Sequence, residues 1–232
     1  MKIALLLSII LGPHTEKFMK LQVALLALWG AVSVLGDGQV NAKLKNGNRQ
    51  MKSILVLPAE TTITMFGFKG SQGLWPENDK FEDDLTALVG KTLTLHRAKI
   101  SATPLAEVSA ANRQELAEVQ RKFDSVQAQI LRSRGGVRKG RYSLGDSVAG
   151  YAAASSADTL VFIRAKGRLP VNLKVGAFLM PELDGQLTFV DARTGEILAF
   201  LEFICDSHNW MKSVDQLVSH IQESLIPVWT SL

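Results

Sequence analysis

Cys205 and His208 form the pair of residues in this sequence best suited to chemistry. They stand three positions apart in the string Cys-Asp-Ser-His, at the end of a predicted strand. A thiol and an imidazole at that spacing could serve as nucleophile and base, or could share a metal ion. A metal site needs three or four ligands, however, and His96 and His220 are isolated in the sequence. We therefore favour a core cysteine beside a loop histidine, and we predict no catalytic residue, no metal ligand and no cofactor-binding residue.

A group of acidic residues near position 80 invites a general-acid or metal-binding interpretation. It stands at the predicted start of a helix, where carboxylates stabilise the positive end of the helix dipole. Asp79 could cap this helix and Glu82 could return the bond, as in a capping box. The helix start therefore accounts for the charges without a site. The group consists of Glu77, Asp79, Glu82, Asp83 and Asp84.

Two familiar sequence motifs are missing. The glycines at 135, 136 and 140 stand beside lysine and arginine, but no G-x-x-x-x-G-K-[ST] loop can be written through them. No G-x-S-x-G elbow occurs for a serine nucleophile. Nucleotide binding and serine hydrolysis thus have no support in the sequence.

The densest run of charge in the chain is basic. It flanks glycines, which predicts a mobile surface loop. Such a loop could contact an anionic lipid surface, a cell-wall polymer or an acidic envelope protein. The alternative is a solvated turn without a partner. The residues that we identify as a possible electrostatic contact are Arg132, Arg134, Arg138, Lys139 and Arg141.

Hydrophobic periodicity and turn residues predict the elements that position these groups. Helix 107–134 carries an apolar stripe at spacings of three and four, and the turn 191–195 joins the clearest hairpin. Segment 61–68 is predicted to be a strand or an extended loop, and 67–76 a turn-rich loop. Segment 169–181 is predicted to be a strand or a lid-like loop. The other predicted elements are strands at 53–58, 93–100, 159–163, 185–190 and 196–204, and helices that begin at Asp79, after Ser143 and at Val214. This order predicts an α/β (α+β) fold in which a single mixed β-sheet packs with helices as a two-layer or three-layer sandwich.

The first 42 residues have the composition of a targeting segment. Met19-Lys20 opens an apolar run that continues to Leu35, and small residues follow near Ala42. These are the parts of a secretory signal peptide, and they predict a true start at Met19 and cleavage near Ala42. The alternative is a membrane anchor through residues 21–36, although a spanning helix needs about 20 apolar residues.

The remaining chain suits one α/β domain at 53–232, preceded by a flexible polar lead-in at 43–52. Cys205 is the only cysteine, so stability must come from a packed core rather than from an intramolecular disulfide. A net charge of +4 and a pI near 9.2 are too weakly basic to predict nucleic-acid binding.

Several segments together suggest a family. A strand ILVLP follows the signal segment, small residues lead through Ala157-Asp158 into TLVFI, and a hairpin turns on DARTGEIL. This pattern is similar to the periplasmic α/β domains of the curli-secretion lipoprotein, the TolB amino-terminal domain and related small envelope lipoproteins. The resemblance covers most of residues 53–228. It implies an envelope assembly or binding module rather than an enzyme.

The chain departs from that group in two ways. Asp37 stands after Val34-Leu35-Gly36, where a lipoprotein would carry the cysteine that is acylated, so lipid anchoring is not expected. There is also no obvious long pair of membrane-inserting hairpins, so a curli-type pore is not expected. The sequence thus predicts a periplasmic, non-enzymatic binding or assembly module, with an exported hydrolase or thiol enzyme using Cys205 and His208 as the alternative. The ligand and the oligomeric state are left open.

Overall fold

The computed structural model describes residues 38–67, 70–94, 99–104, 107–153, 156–171, 181–205 and 214–229. Residues 1–37, which include most of the predicted targeting segment, lie outside these ranges, as do the larger part of the ambiguous segment 169–181 and His208. None of the helices in the described ranges is long and apolar enough to cross a bilayer.

Eight strands and six helices make up the described residues. The strands are β1 (Gln39–Val40), β2 (Ser53–Val56), β3 (Glu60–Gly67), β4 (Gly70–Leu74), β5 (Lys99–Ala102), β6 (Thr159–Pro170), β7 (Glu182–Asp191) and β8 (Ile197–Cys205). The helices are α1 (Ala42–Lys45), α2 (Asn78–Leu93), α3 (Ala110–Arg132), α4 (Gly135–Arg138), α5 (Ser147–Ala153) and α6 (Val214–Trp229).

All eight strands join one mixed sheet in the order β1-β8-β7-β6-β2-β5, with β3 also beside β6 and β4 beside β3. The long strand β6 has two parallel neighbours on one side, because Pro58 separates β2 from β3. Its other side pairs antiparallel with β7, and β7 with β8. The predicted single mixed sheet packed with helices is confirmed.

Helices cover both faces of the sheet, which makes three layers. On one face, α2 and α6 pack their apolar sides against β-strand residues such as Val161 and Phe189. On the other face, α3, α4 and α5 cover Leu160 and Phe200. The five apolar positions of the α3 stripe are all buried there, so this helix packs on its own domain's core: Leu116, Val119, Phe123, Val126 and Ile130.

The start of α2 differs from the predicted capping box. The helix begins at Asn78, and its N-cap residue Glu77 makes no side-chain cap hydrogen bond. The Glu82 carboxylate instead accepts from the Thr61 backbone N at 2.8 Å, on the neighbouring strand. A hydrogen bond between α2 and β3 thus takes the place of the predicted capping bond within α2, because the Thr61 N–H of β3 lies within reach of Glu82.

The region around β4 and β5 also differs from prediction. Residues 70–74 form a strand rather than a loop, since their backbone pairs with β3 although both faces are exposed. Helix α2 continues past Gly90, which lies close to Ala102, so the next strand begins at Lys99 rather than at residue 93. The spacing of apolar residues in the sequence cannot reveal an exposed strand such as β4, because apolar and polar residues do not alternate along it.

Two further boundaries were missed. Ser143 does not cap a helix: its side chain accepts from the Gly145 N at 3.0 Å and donates to the Thr194 O at 2.9 Å. Helix α5 starts only at Ser147. Strand β6 extends seven residues beyond the predicted 159–163, to Pro170. The hairpin of β7 and β8 is confirmed, with Gly195 in the left-handed region at φ 68°.

The segment 43–52, predicted as a flexible lead-in, is part of the fold. It contains most of α1, and Leu44 and Met51 are buried in the core shared with α2 and α6. Just before it, Gln39 and Val40 pair antiparallel with Phe200 and Ala199 of β8. Segment 43–52 is mostly polar in sequence, so the sequence predicts it to be flexible. Isolated apolar residues such as Leu44 and Met51 form no periodic pattern, and the sequence therefore does not show that they pack on the core.

Candidate functional site

The basic segment, defined here as residues 132–141, is a structured part of the surface. It runs from the last turn of α3 through α4 to the turn that follows. Val137 at its centre is fully buried among the residues under α3. The predicted mobile loop is therefore corrected to a short helix with an apolar anchor.

Tyr142 holds this segment against the end of α3. Its hydroxyl donates to the Ser133 backbone O at 2.7 Å and lies 3.3 Å from the Gln129 backbone O, at the end of α3. Its ring also lies directly against Gly136, where a Cβ atom would come within 2.5 Å of the ring. The aromatic ring thus holds α4 against the end of α3.

The other side of the segment meets the amino-terminal strand. Helix α4 contacts β1 and β8. Gly140 follows with a positive φ of 62°, and a Cβ there would lie 2.6 Å from the Glu196 Oε1. Only glycine permits this conformation and this close approach without strain. The basic segment is therefore held between the core of α3 and the edge of the sheet.

Arg134, a member of the predicted set, forms an ion pair with a residue of the sheet. Its Nη1 lies 2.8 Å from the Glu202 Oε2, and its Nη2 donates to Oε1 at 3.0 Å. This two-pronged pair joins the end of α3 to β8, so Arg134 has a structural role.

The other four basic residues face solvent. All four are exposed, and in the described part of the chain none has a carboxylate within the 4.0 Å that defines an ion pair. Arg132 and Arg138 lie in the last turns of α3 and α4, where a cation stabilises the helix dipole. The set Arg132, Arg138, Lys139 and Arg141 therefore presents positive charge on a rigid support.

Cys205 lies at the end of β8 with its side chain fully buried. It belongs to the core that α2 and α6 cover, and it is paired with Leu183 of the adjacent strand β7. A buried thiol in apolar surroundings is inert as a nucleophile. Since His208 is outside the described residues, the structure does not test whether the two converge.

Within the acidic group at the start of α2, Glu82 joins the helix to the neighbouring strand β3. Its Oε1 accepts from the Thr61 backbone N, and the Asn78 amide donates to it at 3.3 Å. Burial raises the pKa of Glu82 above its ordinary value, although these hydrogen bonds oppose the rise. Within the described residues, no three His, Cys, Asp or Glu side chains are arranged to hold a metal ion.

Sequence reasoning missed a polar cluster centred on Arg164. This residue follows the predicted strand TLVFI by one position, and its guanidinium pairs with Glu60 at 2.7 Å and with Asp124. It also stacks 4.7 Å from the centre of the Phe123 ring. Burial raises the pKa of Glu60, and nearby Asp124 raises it further, while Arg164 lowers it. A longer strand assignment would have placed Arg164 on the face that α3 covers.

A cavity of about 370 Å³ opens at the start of β6. The Arg49 Nε lies 2.7 Å from the Asp191 Oδ2, and its Nη2 donates to the Asp158 backbone O at 3.1 Å. The charge of Arg49 is thus balanced internally. The cavity lining consists of Arg49, Ala149, Ala152, Ala157, Asp158, Ala192 and Arg193.

Comparison with known proteins gives only distant likenesses. No family model matches the chain, and neither does any curated protein sequence. Among solved structures, it resembles the PelC dodecamer from Paraburkholderia phytofirmans, with a TM-score of 0.41 and 11% identity over 82% of this chain and 93% of that chain.

Two further solved structures are similar. The LpoB C-terminal domain from Salmonella enterica has a TM-score of 0.30 and 13% identity over 72% of this chain and 96% of that chain. Lipoprotein GNA1162 from Neisseria meningitidis has a TM-score of 0.33 and 14% identity over 76% and 96%. At these scores and identities the likenesses carry no argument about function.

Proposed function

We propose that this chain is an exported, non-enzymatic envelope protein that binds an anionic envelope component through its basic segment. The observation that carries the proposal is a set of four exposed cations that have no ion-pair partner among the described residues: Arg132, Arg138, Lys139 and Arg141. The anchors Val137 and Tyr142 support it, because side chains on a fixed backbone lose less entropy on binding.

Export rests on the predicted signal peptide, and a binding or assembly role on the resemblance to periplasmic α/β domains. An anionic lipid surface, a cell-wall polymer and an acidic envelope protein share the required chemistry. The mildly positive net charge of +4 gives a weak general attraction to such partners, and the basic segment concentrates it.

Removal of the four charges tests the proposal. We expect R132Q/R138Q/K139Q/R141Q to lose affinity for phosphatidylglycerol-containing vesicles or for isolated cell-wall sacculi, measured by co-sedimentation at low and high salt. Each basic residue near an anionic surface contributes about 1 kcal/mol, so the loss is on the order of a hundred- to a thousandfold. Binding of the unaltered chain should also weaken as salt screens the contact.

A second variant with the same net charge provides the control. K91Q/K99Q/R121Q/K166Q removes four exposed cations that lie elsewhere on the molecule. It should bind nearly as well as the unaltered chain. Equal losses in the two variants, or no loss in the first, would refute a specific role for the basic segment. Vesicles and sacculi are separate arms, so the result also distinguishes lipid from cell-wall polymer.

The non-enzymatic part of the proposal has its own test at Cys205. Since the side chain is fully buried, we expect alkylation by iodoacetamide to be at least tenfold slower in the folded protein than in urea-unfolded protein at neutral pH. The rate is measured by intact mass. A thiol that reacts in the folded chain as fast as a free, low-pKa cysteine would revive the alternative of a thiol enzyme or hydrolase that uses Cys205 and His208.

A further inference from the structure

Residues 39–42, which the sequence predicts to be lost with the signal peptide, are built into the fold. Gln39, Val40 and Asn41 are 5%, 9% and 1% exposed. They add a short strand to the free edge of β8, pairing with Phe200 and Ala199. A segment that is removed during export is not expected to be this deeply buried in the mature protein.

Asn41 joins this segment to the sheet and to α1 through several hydrogen bonds. Its backbone N donates to the Leu198 O at 2.8 Å. Its side-chain amide donates to the Glu196 Oε1 at 3.0 Å and to the Ile197 O at 3.1 Å. Its Oδ1 accepts from the Lys43 N at 2.9 Å and so caps α1. One buried side chain thus satisfies groups on both β8 and α1.

Cleavage after Ala42 would undo these interactions together. The backbone O of Leu198 and the carboxylate of Glu196 would lose their Asn41 donors. Helix α1 would lose its cap, and a new charged amino group at Lys43 would form beside the vacated edge. The edge of β8 that β1 covers would become an exposed strand edge, and such an edge promotes aggregation.

Resting on the export proposed above, we propose that signal peptidase cuts after Gly36, so that the mature chain begins at Asp37 and retains β1. Val34 and Gly36 supply the small residues that the enzyme requires at the third and first positions before the bond. From Met19, this cut leaves a basic start and an apolar centre of ordinary signal length. It spares Gln39, Val40 and Asn41.

The retained strand also matters for the proposed binding surface. Because β1 contacts α4, which carries Arg138, the amino-terminal strand forms part of the support of the basic segment. Cleavage upstream of Gln39 is therefore needed for the exported protein to keep the surface that the structure shows.

The intact mass of the full chain expressed in a host with a periplasm tests the proposal. We expect a chain beginning at Asp37 in the soluble envelope fraction. A chain beginning at Lys43 would overturn the inference while leaving export intact. A chain that still carries Met1 or Met19 would instead contradict export itself.

Two substitutions identify the cleavage site through the processing of the precursor, whatever the amount of folded protein recovered. Gly36→Leu places a large residue immediately before the proposed bond, and we expect at least a tenfold accumulation of uncleaved precursor. Ala42→Leu makes the same change at an exposed helix position and should leave processing unchanged. The opposite pattern, with Ala42→Leu blocking processing, would overturn the inference.

Discussion

Arg134 and Arg138 show how environment separates two side chains of the same type. Arg134 donates to both oxygens of Glu202 and is half-buried, whereas Arg138 is exposed at the end of α4. Removing Arg134 would break the ion pair that joins it to β8, so the effect would be on stability. The four exposed cations can be removed without such a loss, which makes their substitution a clean test of binding.

Glu82 gives a residue-scale prediction about pH. Because burial raises its pKa in the folded state, the protonated form is favoured by folding. Its contribution to stability is fully present below the unfolded pKa of about 4.3 and is lost as pH rises through the raised folded value. In Glu82→Gln this dependence is absent, while an oxygen remains to accept from Thr61. We expect the free energy of unfolding of the unaltered chain to fall relative to Glu82→Gln as pH rises above about 4 and through the raised folded pKa.

Urea denaturation at several pH values measures this difference. Asp84→Asn, at an exposed position of the same helix, controls for the loss of one negative charge. Parallel pH curves for the unaltered chain and Glu82→Gln would show that the carboxyl does not titrate abnormally in the fold.

At the scale of elements, α4 depends on a close contact that only glycine allows. A Cβ at Gly136 would lie 2.5 Å from the Tyr142 ring, whereas a Cβ at the adjacent Gly135 meets nothing within 4 Å. We expect Gly136→Ala to lower the free energy of unfolding by about 1–3 kcal/mol through overpacking. Gly135→Ala should be neutral or raise it by about 0.5–1 kcal/mol, since alanine favours helix.

Thermal and urea unfolding of the two alanine variants give the comparison. The two changes add the same methyl group one position apart, so general effects on helix propensity cancel. Equal stabilities would mean that Tyr142 moves aside freely and does not hold α4.

At the scale of the whole molecule, the helices on one side cover only part of a sheet face. Leu160 and Phe162 on β6 lie under α3, and Phe162 stacks on Phe123 with ring centres 4.3 Å apart. Further along the same face, Arg164 marks the boundary, and Lys166 is exposed. Ile204 on β8, two strands away from Lys166, is 59% exposed. The three-layer core thus ends at the polar row that contains Arg164.

This boundary predicts different costs along one face. Phe162→Ala should lower the free energy of unfolding by about 3–5 kcal/mol, because it leaves a cavity under α3. Ile204→Thr keeps a β-branched residue at an exposed position and should change it by no more than about 0.5 kcal/mol. Urea unfolding midpoints provide the measurement. A large loss at Ile204 would show that this part of the face is covered.

The sequence by itself determined the mixed α/β architecture, the apolar stripe of α3 and the hairpin of β7 and β8. Each depends on local periodicity or on turn residues, so nearby positions carry the signal. The bond from Glu82 to β3, the pairing of Arg134 with Glu202 and the docking of β1 onto β8 were decided only by the tertiary structure. Asn41 and Glu196 stand far apart in the chain, and no local pattern records that folding brings them together. The basic residues could be found in the sequence. Only the tertiary structure showed that Arg134 pairs with Glu202 while the other four basic residues are exposed.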